Sequence, residues 1–350
     1  MPSHRVFLLA SLMLAMYAAV PAVAAADGLP TTGVDAGSYG VTDGKGSRYV
    51  TVTAGQDTVV ARTGIDGGKI DRSTSLPGRV TIPAVAYDGS ASGLSADGRT
   101  LVLIRPRLGF PRRRTTFAVL GARRLHLRRW VTLKGDFSFD AISPDGSLLY
   151  LVEYLSPRDP TRYEVRAYDL RSGQLLPQPI VDPEKPEERM GGIPLTRATS
   201  SDERWAYTLY QRAGGHEPFI HALDTVGRKA VCIDLPQLEG KLAVGLATLG
   251  WVKLDASEDS DLLVTAKATR RSGFRSLAAV DTETFEVSTG PKAEAAPGSR
   301  PSDPGGGIPT WTLIPAAIAA LTITIFAVGR SPGQRRPSAG KATSADFDRP

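Results

Sequence analysis

The stretch SPDGSLLYLV, Ser143 to Val152, joins a tight turn to a strand and decides how the rest of the chain is read. Pro144 presets φ and Gly146 accepts positive φ, so the backbone reverses there. Leu148 to Val152 is continuously apolar, the pattern of a central strand covered on both faces. Before the turn, Phe137 to Ser143 reads as a strand. After it come a loop, Ser156 to Thr161, and a run from Arg162 to Ala167 that places Tyr163, Val165 and Ala167 on one face. Past Arg171-Ser172-Gly173, Gln174 to Leu176 supplies a fourth strand.

The same unit recurs. VTDGKGSRYVTV from Val41, SADGRTLVLI from Ser95, SSDERWAYTL from Ser200 and SEDSDLLVTA from Ser257 repeat the turn and apolar strand. About two dozen residues later each is followed by a second turn: TGIDGGKIDR from Thr63, LGARRLHLRR from Leu120, YDLRSGQLL from Tyr168, LDTVGRKAV from Leu223 and VDTETFEVS from Val280. A repeat of roughly 50 residues supplying four short strands is one blade of a β-propeller. The predicted fold is all-β, a β-propeller with five recognisable blades over residues 27–290, with room for a degenerate sixth. In the second unit Leu125 and Leu127 point inward, while Arg124, His126 and Arg128 face out and discourage pairing with a foreign strand. Aligned on their turns, Asp140 and Arg197 fall level on inner strands, placed to pair near the central channel as a structural ion pair.

The turns at Asp97-Gly98 and Asp145-Gly146, with the x-D-x-x-x-G starts at Tyr168-Asp169 to Gly173 and Leu223-Asp224 to Gly227, resemble bacterial YVTN/lactonase-like and WD-repeat-like propeller repeats. The resemblance spans Ser38 to Ser288. It implies a propeller; propellers of this kind include enzymes, cofactor scaffolds and binding modules, so it also carries the alternative of a lactonase-like or other hydrolase. No catalytic set of residues is carried over with it.

The ends of the chain carry their own signals. His4 and Arg5, an apolar run from Val6 and the Ala22-Val23-Ala24-Ala25-Ala26 cluster read as a signal peptide over 1–26. Residues 291–307 are rich in Pro, Gly, Ser and Ala and read as a tether. The uncharged stretch 308–328, at 1.5 Å per residue, is long enough to span about 30 Å of hydrocarbon as a single transmembrane helix. Arg330, Arg335 and Arg336 begin a basic tail over 329–350 that stays in the cytoplasm. The expectation is a single-pass cell-membrane protein with an extracytoplasmic propeller.

Chemistry is sparse in the sequence. The chain has four His and one Cys, so no intramolecular disulfide forms. Cys232, in the apolar AVCIDL, reads as a packing residue with no His beside it in sequence. His216 and His221 flank Pro218 and cannot share a helical face as a zinc pair would; His216-Glu217 reads as a solvated loop pair. No nucleophile elbow, Walker loop or calcium loop occurs, and the expectation is no cofactor and no metal.

Charge is the exception. The chain has a formal net charge of +6, and no acidic residue lies between Arg99 and Lys134. Loops between second and third strands emerge on one propeller face, and they carry Arg105, Arg107, Arg112, Arg113, Arg114, Arg158, Arg162, Arg212, Arg270, Arg271 and Arg275. Guanidinium groups grip carboxylate and phosphate oxygens through paired hydrogen bonds. The sequence therefore predicts a non-catalytic binding module for an anionic partner: a cell-wall polymer, a lipid headgroup or an acidic protein. Export argues against nucleic acid.

Overall fold

The computed structural model describes residues 40–66, 69–187, 190–212, 216–242, 247, 250–256, 261–267 and 274–288. The expected signal peptide, tether, membrane segment and tail lie outside these residues, as do Arg270 and Arg271. Among the described residues no helix is long and apolar enough to cross a membrane.

Among the described residues five antiparallel sheets follow one another along the chain, each a meander. Blade 1 is β1 (Val41–Thr42), β2 (Ser47–Ala54), β3 (Asp57–Gly64) and β4 (Ile70–Leu76). Blade 2 is β5 (Thr100–Ile104), β6 (Arg114–Gly121) and β7 (His126–Lys134). Blade 3 is β8 (Phe137–Ile142), β9 (Leu148–Tyr154), β10 (Tyr163–Asp169) and β11 (Gln174–Ile180). Blade 4 is β12 (Ile193–Thr199), β13 (Trp205–Gln211), β14 (Phe219–Asp224) and β15 (Lys229–Asp234). Blade 5 is β16 (Val252–Ala256), β17 (Asp261–Lys267), β18 (Phe274–Asp281) and β19 (Val287–Ser288). Every residue of β5 is buried, as the two-sided apolar run requires. Apolar clusters fill the four successive junctions: Tyr49 with Leu101, Ile104 with Phe139, Tyr150 with Leu223, and Leu209 with Val264.

The recurring turns share one hydrogen-bond scheme. Ser95 Oγ donates to Asp97 Oδ1 at 2.6 Å, and the Arg99 N–H donates to the same oxygen at 2.9 Å. Ser143 with Asp145, and Ser200 with Asp202, repeat the hydroxyl contact at 2.7 and 2.6 Å. Gly98 and Gly146 hold φ of 64° and 69°. In blade 4 the same left-handed position falls to Glu203, at φ 55°. The second turns behave alike: Asp169, Asp224 and Asp281 each accept two backbone N–H bonds from the residues that follow. Gly173 is their left-handed residue in blade 3, but Arg228 and Phe285 take that place in blades 4 and 5. This corrects the motif in blade 4. Gly227 stands one position early, where a Cβ would come 2.4 Å from the Asp224 carboxylate.

Blade 2 departs from the pattern at its inner edge. Thr81 bridges Ile104 and Leu94 bridges Leu101, so two fragments share the innermost position. Between them the chain leaves as a narrow hairpin, closed by an Ala84–Ala91 bridge and tipped by Asp88-Gly89 with Gly89 at φ 87°. At its tip the Tyr87 and Asp88 N–H groups donate to the Pro194 and Leu195 carbonyls of β12, at 3.0 and 3.1 Å. The hairpin therefore reaches past blade 3 and hydrogen-bonds the innermost strand of blade 4.

Candidate anion-binding face and the blade 3–4 junction

Because each blade is a meander, its second-to-third-strand loop and its link to the next blade emerge on the same side. The arginines of the 105–114 loop meet Asp136 there, on the link from β7 to β8. Asp136 lies two residues past the acid-free stretch, and it reorganises the cluster.

Arg107 is a correction to the sequence reading. Its side chain is 2 % exposed, and Nη2 donates to Asp136 Oδ1 at 2.7 Å and to Ser138 Oγ at 3.0 Å. The guanidinium also lies 4.6 Å from the centre of the Tyr154 ring. A charge so held is an internal brace, out of reach of a ligand. Arg112 is similarly committed: its backbone N–H and Nε donate to Asp136 at 2.8 and 3.1 Å, Nη1 donates to the Arg105 carbonyl, and Nη2 to that of Phe137. Arg212 donates to Asp234 at 2.8 Å and stacks 4.3 Å over Phe219. These three arginines build the face from within.

The remaining described arginines stand outward. Arg105, Arg113, Arg114, Arg158, Arg162 and Arg275 are exposed. Among the described residues none of the six makes an ion pair. Arg105 rests 5.6 Å over the Trp130 ring, which fixes its stem without neutralising it. Between Arg105 and Arg114 lies a shallow groove of about 400 Å³ whose rim carries Leu108, 88 % exposed. Asp159, in the same loop as Arg158 and Arg162, has its Oδ1 taken by the Thr161 hydroxyl and N–H, and these bonds hold its pKa below the usual carboxylate value.

A second polar arrangement lies between blades 3 and 4. Asp140 occupies a bulge in β8, where the register shifts between Phe139 and Ala141 and the extra residue re-aims its side chain. It accepts from Arg197 Nη2, and Arg197 Nη1 donates to the Asp140 carbonyl at 3.1 Å; the two side chains are 3 % and 6 % exposed. The inner-strand pairing expected from the aligned turns is thus present. Arg197 begins a row. It faces Thr208, Thr208 faces His221 and His221 faces Cys232 across successive strands, so all four project from one face of blade 4. The row runs from the channel side outward to a cleft of about 290 Å³, lined by His221, Cys232, Asp182, Lys185 and Met190 among others.

His221 was missed by sequence reasoning, which sought a neighbour for Cys232 along the chain instead of across the hairpin. The ring is 1 % exposed, and neither nitrogen has a hydrogen-bond partner among the described residues. Burial pushes its pKa down to about 4 against the opposing pull of Asp140, which keeps the imidazole neutral at ordinary pH. His216, by contrast, is exposed, in line with the solvated-loop reading.

No protein family model matches the chain, and no curated protein does. The resemblance to YVTN/lactonase-like repeats therefore rests on the quoted turns alone. Solved structures similar to the chain include the hydrazine synthase of Kuenenia stuttgartiensis, 11 % identical at a TM-score of 0.42, covering 75 % of this chain and 68 % of that one. TolB of Acinetobacter baumannii is 15 % identical at 0.39 over 71 % of this chain, which spans 53 % of TolB. The β-propeller domain of Cps50 (Swd1) from Myceliophteria thermophila is 10 % identical at 0.38, covering 71 % of this chain and 75 % of that domain. The chain is an all-β propeller, and that conclusion stands on the five antiparallel sheets of its described residues.

Proposed function

We propose that this protein is a membrane-tethered, extracytoplasmic binding module whose loop-bearing face holds an anionic partner. The observation that carries the reading is the set Arg105, Arg113, Arg114, Arg158 and Arg162, exposed on the loop side and without ion pairs among the described residues. The leader-like 1–26 and the apolar 308–328 support the tether. Arg107 and Arg112, bound to Asp136, hold the loop that presents Arg105, Arg113 and Arg114. The partner is an anionic polymer, headgroup or protein surface carrying several negative groups.

The test is binding of the full chain, in detergent, to fluorescently labelled polyphosphate at two ionic strengths. Exposed charge pairs contribute about 0.2–1 kcal/mol each, so an Arg105→Ser/Arg113→Ser/Arg114→Ser variant should bind roughly 3- to 150-fold more weakly. It should also melt like the parent. Arg112 is spared because its loss would unbrace the loop. Affinity that ignores salt, or a triple variant that binds as well as the parent, would sink the reading.

A further inference from the structure

We propose that His221 and Cys232, with Met190 beside them, form a binding site for a soft metal ion of the monovalent copper class, in the cleft between blades 3 and 4. It uses side chains other than the exposed arginines, although Asp234 joins Lys185 of the cleft to Arg212 of the face.

The backbone sets the geometry. The Cys232 N–H donates to Asp182 Oδ2 at 2.9 Å, and its carbonyl accepts from Lys185 Nζ at 3.3 Å. Both groups belong to the segment running outside β15, so both main-chain groups of Cys232 point away from β14. In an antiparallel ladder that makes His221 and Cys232 a non-hydrogen-bonded pair, the closer of the two kinds, with Cα atoms about 4.5 Å apart and side chains on the same face. A thiolate sulfur and an imidazole nitrogen so placed can reach one ion.

The same contacts fix the donors. Asp182 and Lys185 clamp Cys232 from the outer side of β15, whose inner side is paired with β14 along its length, and Lys185 also donates to Asp234 Oδ2 at 2.8 Å, which offsets its charge. His221 lies within a fully buried strand. Its two nitrogens, unpartnered among the described residues, are costly to bury unless something in the cleft binds one of them. Met190 lines the same cleft and packs on the Tyr163–Phe219 cluster, so a thioether shares the cleft with the two donors. Among the described residues no three His, Cys, Asp or Glu side chains converge, so a closed four-ligand zinc site is not assembled. One thiolate, one imidazole and one thioether form instead a soft, low-coordinate set, the kind that selects monovalent copper.

The experiment titrates the reduced full chain, in detergent and without oxygen, with Cu(I) against a chromophoric chelator; Ag(I) serves as a redox-inert second probe. X-ray absorption reads the ligands of the loaded protein. The expected result is one ion per chain bound by sulfur and imidazole nitrogen. Cys232→Ser should abolish uptake, His221→Gln should weaken it at least about tenfold, and Met190→Leu should weaken it measurably. His126→Gln, on an exposed histidine of blade 2, should change nothing. No stoichiometric uptake, a spectrum with sulfur alone, or a folded His221→Gln that binds like the parent would overturn the site. If His221→Gln does not fold, the ligand set of the unmutated chain still decides.

Discussion

Replacing Asp136 by Asn tests whether the arginine face is built on an internal ion pair. The side chain of Asp136 is 3 % exposed and accepts four bonds, two from Arg107 and two from Arg112. Neutralising it takes from Arg107, 2 % exposed, the carboxylate charge that its Nε and Nη2 bond. Removing one partner of a buried pair costs about 3–5 kcal/mol, a large share of the roughly 5–15 kcal/mol that holds a domain folded. For a domain of this size, where about 2–4 °C accompanies each kcal/mol, the melting midpoint should fall by roughly 6–20 °C. The assay is thermal and urea unfolding of the parent, Asp136→Asn, Arg107→Met and the double variant. Once the carboxylate is gone the buried cation is a burden, so the double variant should be clearly more stable than the sum of the two single losses predicts. An Asp136→Asn variant within about 1 kcal/mol of the parent, or strictly additive losses, would refute the brace.

Three further outcomes follow from the turns. Glu203 occupies a left-handed position that glycine fills in other blades, and such a conformation costs an L-residue about 1–2 kcal/mol; Glu203→Gly should therefore raise the urea midpoint slightly. Gly146→Ala should lower the unfolding free energy by about 1–3 kcal/mol, because φ is 69° and the new Cβ would come 2.5 Å from Thr100 Oγ1 of blade 2. Asp224 has its pKa held below the usual 3.8: burial opposes ionisation, but bonds from Arg204 and from the Val226 and Gly227 N–H groups outweigh it. Below pH 3.8 the unfolded chain takes up this proton first, so the stability Asp224 contributes is complete above that pH and is lost as pH falls toward its lower folded value. Stability curves of the parent and Asp224→Asn should converge in that acid range and separate above it.

Much of this fold could be read from the chain because its turns are made by their own side chains. Ser95 with Asp97 and Ser143 with Asp145 close their reversals locally, so the residues that mark a turn are those that bond within it. Where a turn keeps its shape but changes its residue, as at Glu203, Arg228 and Phe285, a search for glycine fails even though the backbone is the same. Contacts between distant segments left weaker traces. Arg107 looked like a surface charge because its acid lies on the next blade's entry, 29 residues on. The His221–Cys232 pair could have been found by folding the Asp224 turn back on itself, which sets the two opposite each other. The Asp88-Gly89 tip carries the same turn dipeptide as the blade repeats but falls between them, so a reading keyed to the period passes over it.

That hairpin also bears on the order in which the chain acquires its shape. Among the described residues nearly all the pairing is local: each strand meets the next in sequence, and each sheet packs on its successor. Such contacts close short loops and can form as synthesis proceeds. The bonds from Tyr87 and Asp88 to Pro194 and Leu195 are different, joining points roughly a hundred residues apart. Blades 1, 2 and 3 can stack as they emerge, but the tip of the hairpin has no docking strand until β12 has been made. Arrival of the fourth blade is therefore the event that locks the earlier ones. A nascent chain stalled before Pro194 would hold assembled sheets with the hairpin tip still accessible to protease, and one released beyond β13 would not.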